Sequence, residues 1–227
     1  MTTPRMNLYR DIHKGIRLNL ATVAERAGRT DFRDIEAAAR LRDDLETTFR
    51  LLEHHAELEN RFINPLVRTY APQVGAKLDD DHAGHAQRLQ KLRAQLDAAV
   101  SAGPEAPLGG HEFTVALSRF VGESFLHMAD EEELAMPALW AALDDRVLGE
   151  VHAALLASIA PEAMSLALSW MLPALNAAER FELLAGIRES APAPAYDAIR
   201  ALAIRVLDPS DWSRLERQLD AAVSRAA

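Results

Sequence analysis

The chain has 227 residues, with 34 acidic and 25 basic side chains, a formal net charge of −9 and no cysteine. Without cysteine, disulfides, thiolate metal sites and cysteine nucleophiles are excluded, so any metal must be held by imidazole and carboxylate groups. The acidic balance, with arginines interleaved among acids, argues against a nucleic-acid-binding face. No segment reaches the roughly 18 uninterrupted apolar residues of a membrane span, and the N-terminus lacks the apolar core of a signal peptide. We therefore expect a soluble, cytoplasmic protein.

Apolar residues recur at three- and four-residue steps over most of the chain, and this period predicts helices rather than strands. In chain order, four long helices are predicted: residues 7–27, 31–70, 72–100 and 112–143. Gly28 is expected to end the first helix, and Thr30 or Asp31 to cap the second. The segment 101–110 is rich in helix-breaking residues and is predicted to be a loop. Four amphipathic helices with short connections predict an all-α, up-and-down four-helix bundle over residues 1–145.

Beyond residue 145 the predicted helices are shorter. They are separated by Pro161, Pro173, Pro192, Pro194 and Pro209. Proline costs about 3 kcal/mol in a helix interior, so each of these positions favours a helix boundary. Residues 146–227 are therefore predicted to form an appended helical segment, whose apolar faces pack together or against the bundle.

Two of the predicted bundle helices carry the same pattern, His-x-x-x-Glu-x-x-x-x-x-Pro. It occurs as HAELENRFINP, starting at His55, and as HMADEEELAMP, starting at His127. Residues four apart share one face of a helix, so each copy presents an imidazole and a carboxylate together. These pairs are His55 with Glu59 and His127 with Glu131.

The other two predicted bundle helices each carry a histidine seven residues before a leucine. DIHKGIRLNL places His13 before Leu20, and DDHAGHAQRL places His82 before Leu89. Both repeats fit two helix hairpins related by a pseudo-twofold axis, which creates two equivalent metal positions. A single such histidine is more often a hydrogen-bonded core residue. Buried imidazoles and carboxylates on every helix would be costly without a partner, and we predict a metal as that partner.

This ordered set of residues resembles the hemerythrin-like (HHE cation-binding) family over about residues 7–145. Bundles of that family carry one histidine on the first helix, His-x-x-x-Glu on the second, one histidine on the third, and His-x-x-x-Glu or Asp on the fourth. The resemblance implies a non-haem di-iron site with bridging acids and terminal imidazoles. It implies that Glu59 and Glu131 bridge, that His13 and His55 bind one ion, and that His82 and His127 bind the other.

Two further residues remain open as ligands. Oxygen-carrying hemerythrins place two histidines four apart on the third helix, whereas this chain has no histidine four residues from His82. His85, three residues away, is a fifth imidazole ligand, a hydrogen-bonding group behind the ligands, or a surface residue. Glu132 is the alternative to Glu131, because the family sometimes uses the fifth position. Zinc or manganese also fits the donor set.

This donor set leaves positions on each ion at which dioxygen, peroxide, nitric oxide or water can bind. We favour a protein that binds or senses dioxygen, another small ligand or iron itself, with the C-terminal helices contacting a partner protein. The alternative is an enzyme, a di-iron oxidase or a peroxide-decomposing protein. No substrate pocket is evident, and Tyr9, one turn before His13, is interpreted as a packing residue or a group behind the ligands. A structural metal or a scaffold bundle is the third hypothesis.

Overall fold

The structure is a computed structural model that describes residues 5–102 and 106–226, with the backbone alone at 106–107 and 223–226. Within these residues the fold is all-helical, as predicted, with eleven α-helices, one π-helical turn and no strand. The described residues form two compact units. The first comprises the residues up to His13 and Asn19–Ile159, and the second comprises Lys14–Leu18 and the residues from Ala160 onward.

Seven α-helices and the π-helical turn precede Ala160. They are α1 (Arg10–Arg29), α2 (Ile35–Phe62), α3 (Asn64–Tyr70), α4 (Pro72–Ser101), α5 (Ala106–Asp130), the π turn (Glu131–Ala135), α6 (Met136–Ala142) and α7 (Asp145–Ala157). Helix α4 packs against α2, α3 and α5, while α3 also packs against α6. These contacts place α2, α3 and α5 alongside α4.

Several helices begin or end at residues other than the predicted ones. The side chain of Asp34, rather than Thr30 or Asp31, caps α2 by accepting a hydrogen bond from the Ala37 amide. Helix α1 continues through Gly28 to Arg29. The predicted loop at 101–110 is shorter than expected, because α5 begins at Ala106, and residues 103–105 lie outside the described part of the chain.

The single helix predicted over 31–70 is divided at Ile63 into α2 and α3. Pro65 has no backbone N–H to continue the hydrogen-bond ladder, and its ring would clash with the preceding turn. Proline is tolerated in the first turn of a helix, where the N–H has no intrahelical acceptor, and Pro65 lies there in α3. The consequence is a break in the helix at Ile63, one turn after Glu59.

Helix α7 groups with the first unit, so this unit extends past residue 145. Leu148 of α7 is fully buried and belongs to the same apolar cluster as Leu139 and Tyr9. Burying a leucine side chain stabilises the fold by roughly 1.5–3 kcal/mol, which accounts for the attachment of α7.

The second unit contains four helices of similar length: α8 (Pro161–Ala174), α9 (Ala177–Ser190), α10 (Ala193–Val206) and α11 (Pro209–Ala226). Three of them have a proline in the first turn: Pro161 in α8, Pro194 in α10 and Pro209 in α11. Asn176 and Glu179 form a capping box that starts α9. Pro173 is an exception to the predicted boundaries, since it lies inside the last turn of α8.

No single helix in the described part of the chain combines the length and apolar character needed to cross a membrane. Helices α7 and α8 meet that test of length and composition only when they are taken together.

Candidate metal centre

The six predicted ligand side chains lie together inside the first unit. His13 comes from α1, His55 and Glu59 from α2, His82 from α4, His127 from α5, and Glu131 from the first position of the π turn. Five of them are buried, and the His55 side chain is 15% exposed. The helix packing therefore brings together residues that lie far apart in the sequence.

Both acids lie at the end of a regular α-helical stretch. The carbonyl of Glu59 accepts a hydrogen bond from the amide of Ile63, the residue that caps the C-terminal end of α2. The carbonyl of Glu131 instead accepts the amide of Met136, five residues on, as in a π-helix. Pro137 follows directly and has no amide to donate. Such π turns are frequent at functional sites, because they change the direction in which one side chain points without ending the helix.

The carboxylate of Glu59 divides its two oxygens between two groups of imidazoles. Its Oε1 lies 3.1 Å from Nε2 of His55 and 3.6 Å from Nε2 of His13. Its Oε2 lies 3.4 Å from Nε2 of His82. One oxygen therefore belongs to the pair on α1 and α2, and the other faces α4.

The carboxylate of Glu131 is also divided, but here it is the pair His82 and His127 that shares one oxygen. Its Oε2 lies 3.3 Å from Nε2 of His13. Its Oε1 lies 3.3 Å from Nε2 of His127 and 3.9 Å from Nε2 of His82. Each acid thus reaches both groups of imidazoles with a different oxygen.

Two overlapping groups of ligand atoms follow, each within 4.8 Å. One contains Glu59, His82, His127 and Glu131, and the other contains His13, His55 and Glu59. Imidazole nitrogens and carboxylate oxygens are suitable donors for iron, zinc or manganese. The buried cluster of histidines and glutamates can therefore hold a metal ion.

Three of the imidazoles have their outer nitrogen fixed by an oxygen acceptor. Nδ1 of His13 lies 2.8 Å from Oε1 of Glu132, and Nδ1 of His82 lies 2.8 Å from Oδ1 of Asn60. Nδ1 of His127 lies 3.3 Å from Oδ2 of Asp81. Since a carboxylate or amide oxygen accepts, Nδ1 carries the hydrogen in each ring. In the neutral rings Nε2 then presents a lone pair to the centre, as a metal ligand requires.

The central atoms lack protein partners for hydrogen bonding. Within the described residues, Nε2 of His13 and His55 and all four carboxylate oxygens of Glu59 and Glu131 are buried without a hydrogen bond. Nε2 of His82 and Nε2 of His127 face each other at 3.0 Å. Adjacent ligands on a metal at about 2.1 Å stand about 3 Å apart, which matches this spacing. Buried polar atoms without partners are costly, and bound cations would satisfy all of these together.

The electrostatics of the pocket keep both acids ionised. Burial alone raises the pKa of Glu59, but the charge of His55 and the close contacts with His13, His55 and His82 outweigh it and hold that pKa well below its usual range. Burial and the charge of Glu59 raise the pKa of Glu131. The contacts of Glu131 with His127 and His13 have a larger, opposite effect, so the pKa is lowered overall. Two carboxylates without their protons present a strong field for a cation.

The pKa values of the histidines respond to the same acids. Burial lowers the pKa of His13, yet its contacts with Glu131, Glu132 and Glu59 raise it overall to about 10. Burial also lowers the pKa of His127, and Glu131, Glu59 and Asp81 together more than offset this effect. Protons and metal ions therefore compete for the same nitrogen atoms.

The two further ligand candidates, His85 and Glu132, lie outside both groups of ligand atoms. The His85 ring stands edge-on to the rings of His127 and Phe120, with centroids 5.0 and 5.6 Å apart. Burial, followed by the charges of His127 and His82, lowers the pKa of His85 to about 4, so it is a neutral imidazole. Glu132 contacts the outer nitrogen of His13 instead of the centre. Glu132 therefore lies behind a ligand, and His85 lies beside the ring of one.

Asn60 and Asp81 were not recognised from the sequence, although each directly neighbours a predicted ligand. Asn60 follows Glu59, and its Oδ1 also accepts a hydrogen bond from Asn64 at 3.0 Å, which fixes the amide orientation. Asp81 precedes His82 and forms an ion pair with Lys77 at 2.6 Å. An imidazole ligand needs an acceptor for its outer nitrogen, and a search for polar residues beside the ligands would have found both.

Tyr9 also contributes to this site. Its side chain is fully buried, and its ring centroid lies 5.3 Å from that of His13. Burial, then the charges of Glu131 and Glu59, raise the pKa of Tyr9 well above its ordinary value. The phenol is therefore a neutral donor beside the two acids.

No family model, curated protein or solved structure matches this chain. The case for a metal centre therefore depends on the geometry described above, above all on the division of each carboxylate between two groups of imidazoles.

Proposed function

We propose that the first unit holds two metal ions bridged by the carboxylates of Glu59 and Glu131. The observation that carries the proposal is the division of each carboxylate: one oxygen lies near both histidines of one pair, and the other oxygen lies near one histidine of the second pair. A carboxylate that bridges two ions uses its two oxygens in this way. The terminal ligands of the proposed site are His13 and His55 on one ion, and His82 and His127 on the other.

The proposed architecture is the hemerythrin-like four-helix bundle. Its four arms are α1, α2 with α3, α4, and α5 with the π turn and α6. Each arm contributes a ligand. In the two arms that carry an acid, a proline follows soon after it and interrupts the regular α-helix, at Pro65 and Pro137. The agreement between these two copies of one sequence pattern supports two related halves around one centre.

Iron is the metal that we propose, because the resemblance to the hemerythrin-like family favours it and the four imidazoles and two carboxylates are donors that suit it. Zinc and manganese are compatible with the same donors. The function that follows is reversible binding or sensing of dioxygen or of another small ligand. A pair of iron ions supplies coordination positions that the protein leaves open, where such a ligand binds.

The residues of this chain have separate tasks in that function. The acids remain ionised and bridge, and Glu132, Asn60 and Asp81 orient the imidazoles. An apolar cluster beside the acids excludes water from the pocket. It contains Tyr9, Ile63, Leu78, Ala135 and Met136, all nearly or completely buried. Exclusion of water strengthens the electrostatic interactions inside the pocket.

Elemental analysis and the visible absorption spectrum of protein purified without added metal test the proposal. We expect about two iron ions per chain and the charge-transfer bands of a bridged diferric centre. Glu59→Gln removes the charge of one bridge at nearly constant shape and should bind less metal. Glu57→Gln is the matched control, because Glu57 lies on the same helix with its side chain 78% exposed. A wild-type protein that binds no metal, or equal metal content in Glu59→Gln, would contradict the proposal.

A further inference from the structure

Tyr9 has a hydroxyl group that no neighbouring residue satisfies. Its side chain is completely buried, and its Oη makes no hydrogen bond to any described residue. The side chain of Asn7 accepts the Tyr9 amide at 2.9 Å, so the backbone is fixed where α1 begins. A buried hydroxyl without a partner is uncommon and costs free energy, so the position calls for a partner outside the polypeptide.

No described residue around Tyr9 accepts a hydrogen bond from its hydroxyl. It belongs to an apolar cluster with Ile63, Ala135 and Met136. Ile63 and Ala135 each lie one helical turn after an acid of the centre, Glu59 and Glu131 respectively. Tyr9 thus lies in the apolar layer next to the metal-binding side chains. Among the described residues, none of this layer accepts a hydrogen bond from the phenol.

The two acids are close to the phenol but do not bind it. Glu131 and Glu59 are near enough to act on Tyr9 electrostatically, yet none of their four oxygens has a hydrogen-bond partner. The Tyr9 ring also lies beside the ring of His13, at 5.3 Å between centroids. The Tyr9 ring therefore lies beside a histidine of the proposed metal pair, and its hydroxyl makes no hydrogen bond to either carboxylate.

We propose that the Tyr9 hydroxyl donates a hydrogen bond to a small anionic ligand bound at the metal pair on the side of His13. This inference rests on the proposed function, since the acceptor is a ligand of the metal ions. A tyrosine hydroxyl remains protonated at neutral pH and is a good donor to an anion. Tyr9 is then a specificity-determining residue: it favours ligands that carry negative charge and accept a hydrogen bond.

The test uses azide as the probe and the full-length, iron-loaded diferric protein. Three proteins are compared by absorbance titration with azide: the wild type, Tyr9→Phe and Tyr70→Phe. Phenylalanine keeps the ring that packs against His13 and removes only the hydroxyl. Tyr70→Phe is the matched control, because Tyr70 ends α3 and is 46% exposed. Iron content per chain is measured in every sample before titration.

We expect Tyr9→Phe to retain its iron and to bind azide about tenfold more weakly than the wild type, as the loss of one hydrogen bond to a charged group predicts. Tyr70→Phe should match the wild type. The antisymmetric stretch of bound azide should shift less between H₂O and D₂O in Tyr9→Phe than in the other two proteins. That isotope response would not change if Tyr9 had only a packing role.

Three results would overturn the inference. The first is equal azide affinity in Tyr9→Phe and the wild type, with iron present in both. The second is a tyrosinate-to-iron charge-transfer band in the wild type that Tyr9→Phe lacks, which would make the phenol a direct ligand. The third is loss of iron from Tyr9→Phe alone, which would likewise make the phenol a direct ligand of the iron. A wild type that binds no iron would instead contradict the proposed function itself, and the metal analysis distinguishes the two failures.

Discussion

At the scale of single residues, the oxygens behind the imidazoles decide how the centre is organised. His13, His82 and His127 are held by three different acceptors, the carboxylates of Glu132 and Asp81 and the amide of Asn60. Each acceptor fixes a hydrogen on Nδ1 and turns Nε2 toward the acids. The acceptors therefore determine the tautomers on which metal binding depends.

Glu132→Gln is expected to weaken metal binding by roughly tenfold or more. The amide oxygen still accepts from His13, but the negative charge that orients the ring and makes it a stronger ligand is lost, and changes of this kind typically cost 10–100-fold in metal affinity. Competition with a chromophoric chelator measures the effect. Glu133→Gln is the control, since Glu133 is the next residue in the π turn and is exposed. Equal affinities in these two variants would contradict the role assigned to Glu132.

At the scale of elements, the two copies of the metal-binding pattern have different backbone geometry. After Glu59 the helix ends at Phe62, and a new one starts at Asn64. After Glu131 the chain continues through a π turn into α6. Both prolines remove the same hydrogen bond, but the chain compensates in two ways. The pseudo-symmetry of the sequence is therefore only approximate in the backbone.

The attachment of α3 to α4 depends on a close approach at Gly75. A Cβ atom at this position would lie 2.8 Å from Cα and 2.9 Å from the backbone nitrogen of Arg68. Real Cβ atoms do not approach backbone atoms this closely, so one of the two helices would have to move. The ion pair between Arg68 and Asp79, at 2.9 Å, lies in the same contact.

Two glycine substitutions should therefore change stability in opposite directions. Gly75→Ala is expected to destabilise the protein by about 1–3 kcal/mol, the usual range for overpacking. Gly122→Ala should stabilise it by roughly 0.5–1 kcal/mol, because Gly122 is inside α5 with open space around it, and alanine favours a helix more than glycine. Urea unfolding monitored by circular dichroism measures both. A stabilising Gly75→Ala would show that α3 and α4 are not held at this distance.

At the scale of the whole molecule, metal binding should be linked to folding stability. The ligands come from four separate helical segments, so the unfolded chain cannot present them together. A ligand that binds only the folded state at 100 times its dissociation constant adds about 2.7 kcal/mol to stability. The buried acids and histidines would then stabilise the loaded protein far more than the metal-free one.

Removal of metal with a chelator is therefore expected to lower the melting temperature of the wild-type protein. The same treatment should leave Glu59→Gln nearly unchanged, because that variant binds less metal from the start. Scanning calorimetry with and without chelator measures the difference, and Glu57→Gln, exposed on the same helix, should behave as the wild type does. A melting temperature that is indifferent to chelator in the wild type would favour a scaffold without a resident metal.

From the sequence alone, the helical character of the chain and the helix faces that carry imidazoles and carboxylates were predictable, whereas several helix boundaries were not. Both follow from the chemistry of near neighbours along the chain, namely the period of apolar residues and the spacing of His55 from Glu59 and of His127 from Glu131. The all-helical fold was therefore predicted, and the buried histidine and glutamate cluster was expected from the same pattern.

The way in which these side chains meet depends on contacts between helices. The division of each carboxylate between two groups of histidines, the acceptors Asn60 and Asp81, and the unsatisfied hydroxyl of Tyr9 all depend on contacts between helices. So does the place of α7 in the first unit. Sequence spacing describes one helix at a time, whereas the position of one helix against another is fixed by the packing of the whole core. For this reason the ligand types were readable from the sequence, and the geometry of the centre was not.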